Sequence, residues 1–149
     1  MQTTLLFYAR LLPETGSVYA IADKLHEMIQ SSKRSLTSAD PEDHDHSWQI
    51  ISTMYNSLKS LKNNSLNIGN CPLNSNSQQV AEINNYIGEL DADFNRADAY
   101  INSRSVDPLL ELAQRISKTT ADLKTAALKQ TERLLSSLSI SKALPSDDG

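Results

Sequence analysis

The sequence predicts an all-α protein, built as a four-helix bundle with up-down-up-down topology. From Val80 to Ile101, apolar residues recur at alternating spacings of three and four, which places them on one stripe of an α-helix. An Asp-Pro pair, typical of a helix start, occurs twice. Only four of the 149 residues are glycine, which favours long helices over a turn-rich sheet protein.

The N-terminal part of the chain divides at a proline. Residues 1–13 form an apolar segment that we expect to end at Pro13, because proline disfavours the helical conformation of the residue before it. A first helix is then expected from Glu14 to Leu36. Its apolar face comprises Val18, Ile21, Leu25, Met28 or Ile29, and Leu36.

The two Asp-Pro pairs mark later helices, since aspartate caps a helix and proline suits its first turn. The pair at 40–41 opens a second helix that reaches about Asn63, and the pair at 107–108 opens a last helix that reaches about Lys142. Residues 64–77 form an Asn/Ser-rich linker that follows the second helix and joins the two helical hairpins. The buried faces are expected to hold Trp48, Ile51, Tyr55 (or Met54), Leu58 and Leu61 in the second helix, and Leu109, Leu112, Ile116, Leu123, Ala127, Leu134 and Leu138 in the last, with Thr119 or Thr120 in a gap.

The third helix contains the heptad stripe and is expected over residues 78–103. Gly88 within it either bends the helix or marks the close approach of another one. Asp93 and Asp98 are expected on a solvated face. The stripe consists of Val80, Ile83, Ile87, Leu90, Phe94, Ala97 and Ile101.

Short connections at residues 37–40 and 104–107 predict two antiparallel helical hairpins in a single domain, residues 1–149, that ends in a polar tail at 145–149. The third helix carries a net charge of −4 and the last one of +3, so we expect these two to pair. The last helix is the longest, and its C-terminal overhang should meet the apolar N-terminal segment.

This meeting of apolar ends is the candidate interaction surface. It either closes the bundle internally or presents an apolar patch to a partner. The residues assigned to it are Leu5, Phe7, Leu11, Leu134, Leu135 and Leu138.

Composition argues against several classes of protein. The net charge of −4 and the absence of a clustered basic run argue against nucleic-acid binding. No apolar stretch is long enough to span a membrane or to act as a secretory signal peptide. We therefore expect a cytoplasmic location, with non-classical secretion left open.

No catalytic, cofactor or metal motif stands out. The run from Asp43 to His46, with His26 nearby, offers at most a weak divalent site, because alternate residues on a helix point to different sides. Cys71, the one cysteine, is expected at the opposite end of the bundle from those histidines. Trp48 and the tyrosines are expected in the core: Tyr19, Tyr55, Tyr86 and Tyr100.

These observations predict a non-enzymatic helical module for protein–protein interaction or assembly, self-association included, without cofactors. Its partner would be another protein or a second copy. The alternative is a secreted or delivered effector, or a viral accessory protein, that binds a host or target protein. A metal-binding bundle is the third hypothesis.

Overall fold

Five α-helices make up the structure, a computed structural model that describes the backbone of residues 2–66 and 78–143 and the side chains of residues 10–66 and 81–136. The described backbone contains no β-strand, so the all-α prediction is confirmed. Of the predicted linker, only residues 64–66 are described, and the first two belong to a helix. The helices are α1 (Gln2–Ser31), α2 (Lys33–Leu36), α3 (Pro41–Ser65), α4 (Gln78–Ser103) and α5 (Val106–Ala143).

The first helix is longer than the sequence predicts, because Pro13 does not end it. α1 continues through Pro13, so the expected break is wrong. Pro13 lies on the exposed side of α1, where water can bond the carbonyl that an internal proline leaves without a donor. Leu11 and Val18 are both buried. A continuous helix therefore buries apolar side chains on both sides of the proline, which offsets the lost hydrogen bond.

The connection from α1 to α3 is tied together by hydrogen bonds. The helix expected to reach Leu36 is interrupted at Ser32, and the single turn of α2 follows. The indole N–H of Trp48 donates to the carbonyl of Leu36 at 3.0 Å, inside the core. Asp40 caps α3 as predicted, since its carboxylate accepts from the backbone N–H of Glu42 at 3.2 Å.

α4 and α5 are joined by a tight turn. Arg104 adopts a left-handed conformation with φ of 55°, and the N–H of Ser105 donates to the carbonyl of Tyr100 at 2.9 Å. This bond reaches back five residues, as in the common motif that ends helices. α5 consequently begins at Val106, two residues before the expected Pro108.

The principal pair of helices is α1 and α5, which run antiparallel. Gly16 of α1 lies beside Lys124, and Lys33, directly after the end of α1, forms an ion pair of 2.9 Å with Asp107 near the start of α5, so residue numbers rise along α1 as they fall along α5. Because α1 begins at Gln2, it packs beside the part of α5 that was expected to extend beyond the first helix. The predicted overhang of the last helix beyond the first is therefore wrong. α3 packs on α1 and α4, and α4 packs on α5, which completes the bundle.

One apolar core runs through these helices. The α4 stripe is confirmed from Ile83 to Ala97, while the side chain of Val80 lies outside the described residues. Thr120 fills the gap in the α5 stripe, and its hydroxyl donates to the carbonyl of Ile116 at 2.6 Å. The buried apolar residues are Leu11, Val18, Ala22, Leu25, Ile29 and Leu36 (α1 and α2); Trp48, Ile51, Tyr55, Leu58 and Leu66 (α3 and its end); Ile83, Ile87, Leu90, Phe94 and Ala97 (α4); and Val106, Leu109, Leu112, Ala113, Ile116, Leu123 and Ala127 (α5).

The stripe on α4 yields a stability prediction. Leu90 is fully buried, so Leu90→Asp should abolish cooperative folding by placing an unpaired charge among apolar side chains. Leu90→Ala should lower the free energy of unfolding by about 2–5 kcal/mol. Urea denaturation followed by circular dichroism measures both, with Glu89→Ala on the exposed side as the control. A Leu90→Asp protein that unfolds like the wild type would contradict the core assignment.

Gly88 yields a second stability prediction. A Cβ at this position would meet no atom of the described residues within 4 Å, so it does not mark a close approach of another helix. Gly88→Ala should raise the free energy of unfolding by about 0.5–1 kcal/mol, since alanine loses less backbone entropy in a helix. The midpoint of urea unfolding reports the change. A lower midpoint would show that α4 requires glycine here.

Candidate interaction surface

A groove runs along the outside of the bundle between α1 and α5. Its volume is about 470 Å³. Tyr19, at its edge, is 37% exposed, so the prediction that Tyr19 packs in the core is wrong. The groove is lined by Tyr19, Asp23 and His26 of α1 and by Glu111, Gln114, Arg115, Ser117, Lys118 and Ala121 of α5.

Two leucines of α5 are exposed on the side that faces this groove. Leu128 is 45% exposed and Leu135 is 50% exposed. They lie seven residues apart, so two helical turns bring them into line. Ala121, seven residues before Leu128, continues the line into the groove. Ala121, Leu128 and Leu135 are termed the outer row below.

The residues predicted as an interaction surface divide between core and surface. Leu11 is 3% exposed and belongs to the core, and Leu134 is partly buried against the core. Leu135 belongs to the outer row. The exposed apolar surface therefore lies along the side of the α1–α5 pair. The other three residues lie in helices, with side chains outside the described residues: Leu5, Phe7 and Leu138.

Tyr19 and Leu128 are the surface residues that the sequence analysis missed. A signal for Leu128 was present, because the outer row has heptad spacing of its own, displaced from the inward stripe of α5. The inward stripe of α5 was predicted correctly, but periodicity does not show whether apolar residues outside that stripe are covered by a neighbouring helix or left exposed. Tyr19 carried no comparable signal.

A polar cluster joins α3 to α4. The hydroxyl of Tyr55 lies 2.6 Å from one carboxylate oxygen of Asp98, and Lys59 donates to the other oxygen at 2.6 Å. Burial raises the pKa of Asp98, but the hydrogen bonds from Lys59 and Tyr55 outweigh it, so this pKa lies below its ordinary value of 3.8. Asp98 is thus half-buried and paired, contrary to the solvated face expected for it.

Lys62 makes further contacts in the same interface between α3 and α4. It is buried, its ammonium forms an ion pair with Asp91, and its Nζ lies 5.8 Å from the ring centre of Phe94. Burial lowers the pKa of Lys62, and the charge of Lys59 lowers it further. Asp91 and Asp98 of α4 therefore pair with lysines of α3. The charge pattern had predicted that the acids of α4 pair with basic residues of the last helix.

Asp93 provides the ionic contact between α4 and α5. It is 1% exposed, so the solvated face expected for it is wrong. Its Oδ1 accepts from Arg96 at 3.0 Å and lies 3.5 Å from an Nη atom of Arg115. Its buried Oδ2 has no hydrogen-bond partner among the described residues. Arg96 and Arg115 also line a shallow cleft of about 320 Å³ together with Tyr100.

Two of the candidate metal ligands, Asp45 and His44, have other neighbours in the structure. Asp45 pairs with Arg104, and this hydrogen bond holds the pKa of Asp45 below its ordinary value. His44 is half-buried, with its ring centre 6.4 Å from that of Trp48. In the part of the chain that the structure describes, no three potential ligands converge. Cys71 lies outside that part.

Comparison with known proteins identifies no relative. No family model matches the sequence, and no curated protein and no solved structure is significantly similar to it. Within the described ranges, no helix combines the length and apolar character needed to cross a membrane.

The Asp98 cluster makes stability depend on pH. Because its pKa in the folded chain lies below the ordinary 3.8, the contribution of Asp98 is present above about pH 4 and is lost as the pH falls through the folded value. Asp98→Asn removes this titration, so its urea midpoint should fall less than that of the wild type between about pH 6 and pH 2. Glu89→Gln, an exposed acid of the same helix, should keep the wild-type dependence. Equal slopes for Asp98→Asn and wild type would contradict the assignment.

Proposed function

We propose that this protein is a non-enzymatic helical interaction module that binds a protein partner along the outer side of the α1–α5 pair. The observation that supports the proposal is the clustering of exposed apolar side chains. Among the described residues, four large apolar side chains are exposed. Three of them, Tyr19, Leu128 and Leu135, lie on this one side, and only Ile50 lies elsewhere, on α3.

The spacing of these side chains suits a helical partner. Single exposed leucines are common on protein surfaces and need no explanation. Leucines in heptad register are different, because they offer another helix a continuous line of contacts. Because Leu128 and Leu135 are already about half buried, covering one of them contributes roughly 1 kcal/mol, about half the value for complete burial of a leucine. The outer row and the groove beside it therefore favour a helix laid along α5.

The proposal predicts site-specific contact. A photo-reactive benzoylphenylalanine at position 128 should form covalent protein adducts in the cells that produce this chain, because Leu128 would lie within the contact. The same probe at position 50, where Ile50 is 42% exposed on α3, should form few or none. Gel shifts and mass spectrometry measure the adducts.

Matched variants distinguish specific contact along the outer row from nonspecific hydrophobic association. Leu135→Lys should abolish the adducts formed at position 128, because it charges the same line of contacts. Ile50→Lys should leave them unchanged. Adducts of equal yield from both probe positions, or none from position 128, would contradict the proposal.

A further inference from the structure

We propose that Leu128, at the centre of the outer row, and the charged residues on either side of it bind the same surface of a second copy of this chain, with the two α5 helices crossing antiparallel and a two-fold axis beside Leu128. This inference rests on the proposed function and names its partner. It follows from the arrangement of charge on either side of Leu128.

Opposite charges flank Leu128 symmetrically. Lys124 lies four residues before it and Glu132 four residues after it. Both are exposed, and neither forms an ion pair with any described residue. Residues four apart are neighbours on a helix surface, so the three side chains form one ridge with a positive end, an apolar centre and a negative end.

A two-fold axis beside the centre of this ridge makes it complementary to itself. In an isologous contact, each residue meets on the second copy the residue that meets it in return. With the helices antiparallel, Lys124 of each copy faces Glu132 of the other, and the two Leu128 side chains meet at the axis. A parallel arrangement would place lysine against lysine and glutamate against glutamate, so the charges select the antiparallel dimer.

The packing geometry is one that helices favour. Ridges of residues four apart interdigitate in the commonest helix crossing, at an angle of about −50°. The ridge through Lys124, Leu128 and Glu132 is of this kind. The outer side of α5 therefore provides both the shape and the charge order that such a crossing needs.

Charge reversal tests the pairing. By size-exclusion chromatography with light scattering, the wild type should have twice the 16.5 kDa mass of the chain. Lys124→Glu and Glu132→Lys each replace two ion pairs with two repulsions, so each should weaken the dimer about tenfold or more. The double variant restores both pairs with reversed polarity and should regain the wild-type mass. Lys129→Glu, exposed on the α4–α5 side, is the matched control and should remain dimeric.

A cysteine at the axis tests the register. In a Cys71→Ser background, Leu128→Cys should form an intermolecular disulfide on mild oxidation, because the axis brings the two copies of position 128 together. Ile50→Cys in the same background should not. Circular dichroism confirms that each variant is folded.

The outcomes separate this inference from the proposed function. A wild-type chain that stays monomeric up to millimolar concentration would overturn the second copy as the partner, and adducts between position 128 and a different protein would then leave the proposed function standing. No adducts at position 128 would remove both. A dimer that the double reversal fails to restore, or that Leu128→Cys fails to cross-link, would overturn this axis.

Discussion

The structure depends on the antiparallel packing of α1 against α5. An isolated amphipathic helix is marginal in water, so each of these two helices requires the apolar face of the other. The packing explains why α1 continues through Pro13, although a proline inside a helix costs about 3 kcal/mol. Leu11 and Val18 are buried on either side of it, and a break would expose one of them. α5, at 38 residues, therefore has a long partner for most of its length.

α3 and α4 complete the bundle in a different way, because polar contacts set their register. Tyr55, Lys59 and Asp98 form one cluster, and Lys62 with Asp91 forms another. Such partly buried ion pairs add little net stability, but leaving one partner unpaired is costly. A shifted register of α3 on α4 would leave several charges unpaired at once. These contacts thus favour a single alignment over its neighbours.

The interaction proposed for this protein follows from the closed bundle itself. α5 carries an inward stripe that the other helices cover and an outer row that they leave in water. Leu128, the central residue of the outer row, lies between Lys124 and Glu132, whose opposite charges are unpaired within the described residues. The same helix that anchors the fold would then supply the contact surface. Stability depends on the inward face of α5 and the proposed binding on its outer face, so surface variants can test binding without unfolding the bundle.

The sequence by itself determined the all-α class, the bounds of α3 and α4, and the inward stripe of α4, because caps and periodicity are local signals. Tertiary structure alone decided the course of α1 through Pro13 and the pairing of Asp98, whose hydrogen bond to Tyr55 spans 43 residues of chain. The inward stripe of α5 was also predicted correctly, but only the tertiary structure shows that Leu128 and Leu135, outside that stripe, remain exposed. Burial is a property of neighbours brought together by folding, and for α5 the main neighbour is α1, at the other end of the chain.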